Sequence, residues 1–340
     1  MEVLVCSKPQ HLELRHAAKP ECAPGHAVVR IRRIGICGTD IHAYGGNQPY
    51  FEYPRVLGHE LAGEVVEVAD DHAQHLLGKQ IYVIPYLHCS ECRACRQHKT
   101  NCCQRMRVIG VHKDGGMAEY LAVPTTHLVV SETLTIDQLA LVECMAIGAH
   151  AVRRSQLQVD ELVVIVGAGP IGMGVLQVAN SRGARTLMVD TNASRLGFCR
   201  DVLGADAVAN PQKVDVAELI SELNDGALSD VVFDATGSPR AMEAGFDLVG
   251  HGGRYVLVSI VKADITFSDP DFHKKELTLI GSRNAIREDF DSVVSLMESG
   301  DINAEAMITH RAYLADVPAQ MPQWCDPANQ VIKAMISIDH

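Results

Sequence analysis

The 340-residue sequence is poor in basic residues, with 30 Lys and Arg against 42 Asp and Glu and a formal net charge of −12. A protein that binds a nucleic-acid backbone needs a basic face, so this charge argues against a nucleic-acid partner. Aromatic residues make up only 5%, yet apolar residues reach 47%, which excludes a disordered chain. Single cores stop growing near ~250–300 residues, so the length predicts about two domains.

The N-terminus lacks the basic segment and apolar core of a signal peptide, which predicts a protein of the reducing cytoplasm. The longest apolar stretch, residues 162–179, is broken by glycines and has no basic anchors at its ends. It predicts a buried strand, a turn and a helix rather than a membrane span. The 11 cysteines are odd in number, and in a chain of this size they argue against a disulfide scaffold.

The pattern of the sequence changes near residue 145. Before it, short β-like runs at residues 27–34, 62–68 and 80–84 alternate with Gly, Pro and His clusters. After it, apolar strand-like runs alternate with helix-like runs. The strand-like runs are 162–166, 186–190, 231–234, 255–258 and 277–281, and the helix-like runs are 171–181, 194–203 and 240–249. A helix at 289–299 and a β-like tail at 331–338 follow. Apolar strands alternating with helices predict an α/β domain whose doubly wound parallel sheet is covered on both faces.

A glycine-rich turn follows the first of these strands. It reads Gly167, Ala168, Gly169, Pro170, Ile171 and Gly172, and matches G-x-G-x-x-G. Between a strand and a helix this pattern predicts a dinucleotide site, with the pyrophosphate at the helix N-terminus. Asp190 ends the next strand and would bind the ribose 2′-hydroxyl, which favours NAD. Arg195 could bind a 2′-phosphate, so NADP is the alternative cofactor. The alternative is a flavodoxin-like or other nucleotide fold.

Four cysteines in one short segment, Cys89, Cys92, Cys95 and Cys103, have the spacing C-x2-C-x2-C-x7-C. Four thiolates complete a tetrahedral zinc shell without an open position, which predicts a structural zinc site. Cys102 is an alternative fourth ligand. An iron–sulfur cluster is the main competing interpretation, because it also uses four cysteines.

A second, dispersed set consists of Cys37 in the segment 35–42 and of His59 and Glu60 in Gly-His-Glu. A thiolate, an imidazole and a carboxylate leave one coordination position of zinc open, which is typical of a catalytic site. Each residue alone is a weak signal. Their appearance together with the four-cysteine segment and the glycine-rich turn makes the prediction specific.

With these motifs, and with the segment 114–120 (DGGMAEY), the whole chain resembles the zinc-containing medium-chain dehydrogenase/reductase family. The similarity is greatest to the branch of the sorbitol, threonine and hexonate 5-dehydrogenases. Segments 45–51 and 267–275 are most similar to those of L-galactonate and L-gulonate 5-dehydrogenases. The resemblance implies a β-rich GroES-like catalytic domain at residues 1–145 plus 284–340 and a Rossmann domain at 146–283.

The resemblance also implies roles for individual residues. Cys37, His59 and Glu143 would bind the catalytic zinc, with Glu60 beside the metal or exchanging onto it. The family commonly has Glu-Pro at the third ligand, whereas this chain has Glu-Cys. The proton of the alcohol would pass from Thr39 through the nicotinamide ribose to His42 and solvent. The remaining predicted contacts are Thr236, Ser259, Ile260 and Arg283 for the cofactor and Asn47 and Arg283 for the substrate.

The motifs predict an NAD-dependent dehydrogenase with two zinc ions per chain, and the resemblance implies that it oxidises C5 of an L-hexonate such as L-galactonate or L-gulonate. A polyol or L-threonine dehydrogenase is the enzymatic alternative, although Ala43 replaces the aromatic residue of sorbitol dehydrogenase after the relay histidine. The alternative that is not an enzyme is a catalytically silent NAD-binding regulator. A zinc-ribbon interaction module is a further alternative, but it conflicts with the acidic net charge. The family resemblance implies a homodimer or homotetramer.

Overall fold

The computed structural model describes residues 1–48 and 51–338. It divides into two compact units. Unit 1 comprises Met1–Glu143 and Ala304–His340, and unit 2 comprises Cys144–Asn303.

The strands, in chain order, are β1 (Glu2–Lys8), β2 (His11–His16), β3 (His26–Gly35), β4 (Arg55–Val56), β5 (Glu60–Val68), β6 (Gln80–Val83), β7 (Tyr86–Leu87), β8 (Arg107–Val108), β9 (Tyr120–Pro124), β10 (Leu128–Val130), β11 (Leu162–Val166), β12 (Arg185–Val189), β13 (Ala207–Ala209), β14 (Ser229–Asp234), β15 (Val249–Leu257), β16 (Thr278–Gly281), β17 (Ile308–Tyr313) and β18 (Lys333–Ser337). The α-helices are α1 (Gly38–Gly45), α2 (Arg93–Arg96), α3 (Ile136–Ser155), α4 (Pro170–Ser181), α5 (Ala193–Asp201), α6 (Val216–Leu223), α7 (Pro239–Leu248), α8 (Asp269–Lys274), α9 (Arg287–Glu298) and α10 (Val317–Cys325). Short 3-10 helices cover Asp71–Leu76, Thr100–Cys102, Thr125–His127, Glu305–Met307, Leu314–Asp316 and Pro327–Asn329.

Unit 1 is built on a largely antiparallel sheet in the order β10-β6-β5-β3-β18-β17, with β9 also paired to β3. Smaller sheets join β2-β1-β4 and β7-β8. The central strand β3 lies between β5 and β18, so that Gly35 is opposite Glu60 on one side and Met335 on the other. The apolar faces of these strands, with Leu4 and Ile31 among them, form one buried core together with Trp324 of helix α10. The predicted β-rich domain is confirmed.

Unit 2 contains a sheet in the order β13-β12-β11-β14-β15-β16, and every neighbouring pair is parallel. Relative to the first strand of the unit this is the order 3-2-1-4-5-6, the arrangement of a doubly wound dinucleotide-binding sheet. The central strands β11, β12 and β14 are apolar and mostly buried because helices cover both faces of the sheet there, whereas the edge strand β16 is largely exposed. The predicted Rossmann-type fold is confirmed.

Unit 2 extends to Asn303, whereas the sequence predicts a boundary at residue 283. Helix α9 explains the difference. Its Asp289 accepts hydrogen bonds from His150 Nδ1 at 2.8 Å and Arg153 Nε at 2.6 Å, both on α3. The N–H of Asn303 donates to Gln177 Oε1 on α4 at 2.7 Å. These buried polar contacts bind residues beyond 283 to unit 2.

The apolar stretch 162–179 forms β11, a turn and the first part of α4, as its glycines predict. Across residues 1–48 and 51–338, no helix combines the length and the apolar character that crossing a membrane requires.

Candidate active site, zinc sites and nucleotide site

The thiols of Cys89, Cys92, Cys95 and Cys103 lie together in unit 1, with all four sulfur atoms within 4.8 Å of one another. The Sγ atoms of Cys92 and Cys95, and those of Cys89 and Cys103, are 3.5 Å apart. Cys102 is exposed and lies outside this cluster. The structure therefore places Cys103, and not its neighbour, beside the other three thiols.

Backbone N–H groups point at these sulfur atoms. Cys92 N–H donates to Cys89 Sγ at 3.4 Å, and Arg105 N–H donates to Cys103 Sγ at 3.3 Å. The N–H groups of Glu91 and Cys92 lower the pKa of Cys89 to about 6, which favours the thiolate. A tetrahedral zinc ion fits this preformed set of four sulfur donors.

The donors of the second group are Cys37, His59 and Glu60, whose ligand atoms also lie within 4.8 Å of one another. Cys37 is the N-cap of α1, directly after β3, and Glu60 begins β5 beside it. Gly35 makes room for the carboxylate, since a Cβ atom there would lie 2.0 Å from Glu60 Oε2. The pairing of β3 with β5 therefore brings residues from two sequence segments to one point.

Buried Asp40 organises this group. Its carboxylate accepts hydrogen bonds from the N–H groups of Cys37 at 2.9 Å and Gly58 at 3.0 Å. Its Oδ1 lies 3.8 Å from Nδ1 of His59, which is buried and has no hydrogen-bond partner among the described residues. Burial lowers the pKa of His59, but the charges of Cys37 and Asp40 outweigh it and raise that pKa well above its ordinary value. A thiolate, an imidazole and carboxylates around an unsatisfied buried nitrogen fit a zinc ion.

Lys333 is buried against Glu60. Its Nζ lies 2.7 Å from both carboxylate oxygens and donates to the carbonyl of Ile36 at 3.1 Å. The lysine is 1% exposed and the glutamate is fully buried. The ammonium therefore neutralises Glu60 at the edge of the group.

Glu143, on α3, lies outside the set of donors within 4.8 Å of one another. It is buried and accepts a short hydrogen bond from the hydroxyl of Tyr86. Burial raises the pKa of Glu143, with the neighbouring charge of Glu60 adding to the effect and that of His59 opposing it. Glu60 and Glu143 are thus two neighbouring carboxylates, each with its own protein partner.

Helix α1 carries the residues of the predicted proton relay. Thr39 is half-buried in its first turn, and His42, three residues later, lies on the same side of the helix and is exposed. Asn47 is exposed just after the helix. Two residues of the segment 45–51, Pro49 and Tyr50, lie outside the described residues.

The predicted cofactor residues of unit 2 all follow the carboxyl ends of parallel strands. In chain order the strands and the residues that follow them are β11 with Gly167, Gly169, Pro170, Ile171 and Gly172, β12 with Asp190 and Arg195, β14 with Thr236, β15 with Ser259 and Ile260, and β16 with Arg283. The carboxyl ends of parallel strands meet at one edge of a sheet, where ligands of doubly wound folds bind. The structure therefore brings these residues to one sheet edge.

The glycine-rich turn is closely packed at two of its three glycines. Gly167 has φ +105°, a value that favours glycine, and a Cβ atom on Gly172 would lie 1.9 Å from the carbonyl oxygen of Gly167. A Cβ atom on Gly169, at the N-cap of α4, would have nothing within 4 Å. The open space beside Gly169 is available to a nucleotide phosphate.

Asp190 closes the turn. Its carboxylate accepts from Ala168 N–H at 2.6 Å and from Asn192 N–H at 2.8 Å. An ionised carboxylate has further lone pairs for a ribose hydroxyl. Asp190 therefore fixes the turn and can still accept a hydrogen bond from a ribose hydroxyl.

Comparison with known proteins assigns both units. Residues 23–133 match the alcohol dehydrogenase GroES-like domain, and residues 170–299 match the zinc-binding dehydrogenase domain. The chain belongs to the zinc-binding alcohol dehydrogenase family. It is a zinc-dependent medium-chain dehydrogenase.

The dehydrogenase is similar to known proteins over most of its length. It is 42% identical to L-galactonate-5-dehydrogenase of Escherichia coli (strain K12) over 337 residues, which cover 99% of each chain. It is 32% identical to sorbitol dehydrogenase of Halalkalibacterium halodurans, over 88% of each chain. The alcohol dehydrogenase RspB of Escherichia coli CFT073, crystallised with NADH, superposes with a TM-score of 0.94 at 27% identity and 99% coverage of each chain.

The sequence interpretation did not include Asp40, Tyr86 or Lys333 among the site residues. The sequence does mark Lys333 as a candidate for burial beside an acid, because it is the single charged residue within the largely apolar run 331–338. Asp40 lies at the third position of α1, where an acid pairs with backbone N–H groups. Tyr86 carries no comparable signal.

Proposed function

We propose that this dehydrogenase oxidises the C5 hydroxyl of an L-hexonate, such as L-galactonate or L-gulonate, with NAD as the hydride acceptor. The observation that carries the substrate assignment is the 42% identity to L-galactonate-5-dehydrogenase over 99% of both chains. The grouping of Cys37, His59 and Glu60 supports alcohol oxidation, since this donor set leaves zinc able to take a substrate oxygen.

Cys37, His59 and Glu143 are the proposed ligands of the catalytic zinc, with Glu60 as the alternative carboxylate. When bound, zinc supplies a Lewis acid that polarises the alcohol and favours loss of its proton. The chain holds the ligands in place. Asp40 fixes the backbone of Cys37 and faces His59, and Tyr86 donates to Glu143.

Thr39 and His42 are proposed to carry the proton away. Thr39 Oγ1 accepts the hydrogen bond of the substrate hydroxyl, and the exposed imidazole of His42 exchanges a proton with water. The one-turn spacing on α1 and the change from half-buried to exposed support this order. We expect Thr39→Val to lower kcat, and unchanged kcat would contradict the relay.

The proposal of NAD over NADP rests on Asp190. NAD supplies the nicotinamide carbon that accepts the hydride. A carboxylate at the end of the second strand accepts hydrogen bonds from a ribose 2′-hydroxyl and repels a 2′-phosphate. Gly167, Gly169, Pro170, Ile171, Gly172, Arg195, Thr236, Ser259, Ile260 and Arg283 complete the proposed cofactor site.

Asn47 and Arg283 are proposed substrate contacts, and both are exposed. We also propose a homodimer or homotetramer and a cytoplasmic location. All eleven cysteines lie among the described residues and none of them forms a disulfide, which supports a reducing compartment.

A polyol such as sorbitol is the second candidate substrate, supported by the 32% identity to sorbitol dehydrogenase. An NADH-formation assay of the zinc-loaded enzyme with hexonates, polyols and L-threonine tests the proposal. We expect the highest kcat/KM with an L-hexonate and loss of activity with a chelator. A preference for sorbitol or L-threonine would contradict the hexonate assignment, and activity that survives complete zinc removal would contradict the zinc site.

A further inference from the structure

Unit 1 contains a cavity of about 440 Å³ that none of the roles above uses. It is lined by Glu52, Arg55, Arg105, Met106, Arg107, Val111 and His112. Met106 and Val111 are buried and form the apolar part of the lining. Three guanidinium groups around one cavity, with one carboxylate, are the donor set of an anion site.

The arginines are not equally neutralised. Nη2 of Arg105 lies 2.6 Å from Oε2 of Glu91, in an exposed ion pair. Nη1 of Arg55 lies 3.4 Å from Oδ1 of Asp114, which also accepts the N–H of Val56 at 3.1 Å. Arg107 has no acidic partner within 4.0 Å among the described residues. Together with Glu52 in the lining, Glu91 and Asp114 balance the three arginine charges, so the cavity offers guanidinium N–H donors rather than an excess of positive charge.

One of the guanidinium groups has an unused donor. Nε of Arg55 is buried, in a side chain that is 19% exposed, and has no hydrogen-bond partner within residues 1–48 and 51–338. A buried N–H without an acceptor is destabilising, so an acceptor that reaches Nε stabilises the bound state. His112 is fixed beside the cavity because its Nδ1 accepts the N–H of Val108 at 3.1 Å.

The cavity is built on the segment that leads to the zinc donors. Arg55 lies in β4, four residues before His59. The 107–112 segment packs on the same stretch, since a Cβ atom on Gly110 would lie 2.7 Å from the carbonyl oxygen of Gly58. The arginines and the catalytic donors are therefore held by one local framework.

We propose that this arginine pocket, formed by Arg55, Arg105, Arg107 and His112, binds the carboxylate of a small polyhydroxy acid. Its volume lies within the ~300–1,000 Å³ of small-molecule sites. A planar carboxylate matches the paired N–H groups of a guanidinium, and Nε of Arg55 is a buried donor without an acceptor among the described residues. Neutral polyols offer hydroxyl groups but no such partner.

The carboxylate has two sources. It belongs either to the hexonate being oxidised, in which case the pocket selects sugar acids over polyols and rests on the proposed function, or to a second acid molecule. Binding itself does not depend on the proposed function, because any short hydroxy acid carries the group. D-glycerate, which has no C5, is therefore a probe independent of turnover.

The test uses calorimetric titration of the zinc-loaded enzyme with D-glycerate and with L-galactonate. The Arg55→Gln/Arg107→Gln variant is expected to bind both about tenfold more weakly than the wild type. Arg15→Gln, which removes an exposed arginine of the same unit from β2, is the matched control and should bind as the wild type does. Arg55→Lys/Arg107→Lys keeps both charges and should retain most of the binding, which separates charge from folding.

Kinetics distinguish the two sources. If the pocket holds the substrate's own carboxylate, the double Gln variant raises KM for L-galactonate about tenfold, leaves KM for galactitol unchanged, and D-glycerate inhibits competitively. If it holds a second molecule, both KM values stay unchanged while the variant loses D-glycerate binding. Equal D-glycerate affinity in the wild type, the double Gln variant and Arg15→Gln overturns the pocket. Arginine-dependent D-glycerate binding in an enzyme that oxidises no hexonate supports the pocket and overturns only the proposed function.

Discussion

Lys333 and Glu60, 273 residues apart in the chain, form a buried ion pair in which Nζ lies 2.7 Å from both carboxylate oxygens. The pair joins β18 to β5 across β3, and its glutamate belongs to the donor group of Cys37 and His59. An ammonium that faces both oxygens stabilises the carboxylate within unit 1. Glu143 accepts a hydrogen bond from Tyr86 instead and is the proposed ligand of zinc.

Replacing Lys333 by Met should destabilise the metal-free enzyme by about 3–5 kcal/mol, because Glu60 is left as an unpaired buried charge. Urea unfolding measures the change. The Lys333→Met/Glu60→Gln variant should recover most of the loss, since both charges are gone. Equal losses in the single and double variants would mean that the ion pair contributes nothing specific.

Replacing Cys103 by Ser should remove one zinc ion per chain, because Cys103 lies within the cluster of four thiols. Cys102→Ser is the matched control, since its exposed thiol lies outside the cluster, and it should keep both zinc ions. Elemental analysis of the purified variants decides the matter. Zinc loss from Cys102→Ser with retention in Cys103→Ser would reverse the assignment.

Substitution of two glycines of the turn, Gly169 and Gly172, should have different effects on NADH binding and on stability. Gly169→Ala should leave the free energy of unfolding nearly unchanged, because its Cβ meets open space, but weaken NADH binding about tenfold by obstructing the phosphate. Gly172→Ala should destabilise unit 2 by about 1–3 kcal/mol, because its Cβ would meet a carbonyl oxygen at 1.9 Å. Fluorescence titration with NADH and urea unfolding measure the two effects. Normal NADH affinity in Gly169→Ala would place the phosphates elsewhere.

Asp289 should make the stability of unit 2 depend on pH. Burial raises the pKa of Asp289, but hydrogen bonds from His150 and Arg153 outweigh it and hold that pKa below the ordinary value of 3.8. The stabilisation is therefore present above about pH 4 and is lost as the pH falls through the lowered value. Asp289→Asn should cost about 2 kcal/mol at pH 7, with a smaller difference from the wild type at pH 3. A difference of equal size at both pH values would contradict this account.

The Rossmann-type sheet was predictable because its signals are local. Strand β11 and helix α4 are apolar runs separated by glycines, and Asp190 follows the next strand within the same βαβ unit. Helix α3 was not predicted, although it is the longest helix of the described chain. Its buried residues are nearly consecutive from Leu139 to Ala146, so they show no one-sided period that marks a surface helix.

The cysteine cluster was also predictable, because its members lie in one short segment. The pairing of Lys333 with Glu60 depends instead on the register of β18 and β5 on either side of β3, which no local pattern specifies. The arginine pocket likewise joins residues 52–55 to residues 105–112 through a contact between Gly58 and Gly110. Such long-range contacts appear only in the folded structure.

The most direct test of the central claim is the identity of the product from L-galactonate and NAD. The zinc-loaded enzyme should form one NADH for each keto acid, and carbon-13 NMR should place the new ketone at C5. NADP should support a much lower kcat/KM than NAD. A ketone at another carbon, or turnover of sorbitol or L-threonine without turnover of any L-hexonate, would contradict the account.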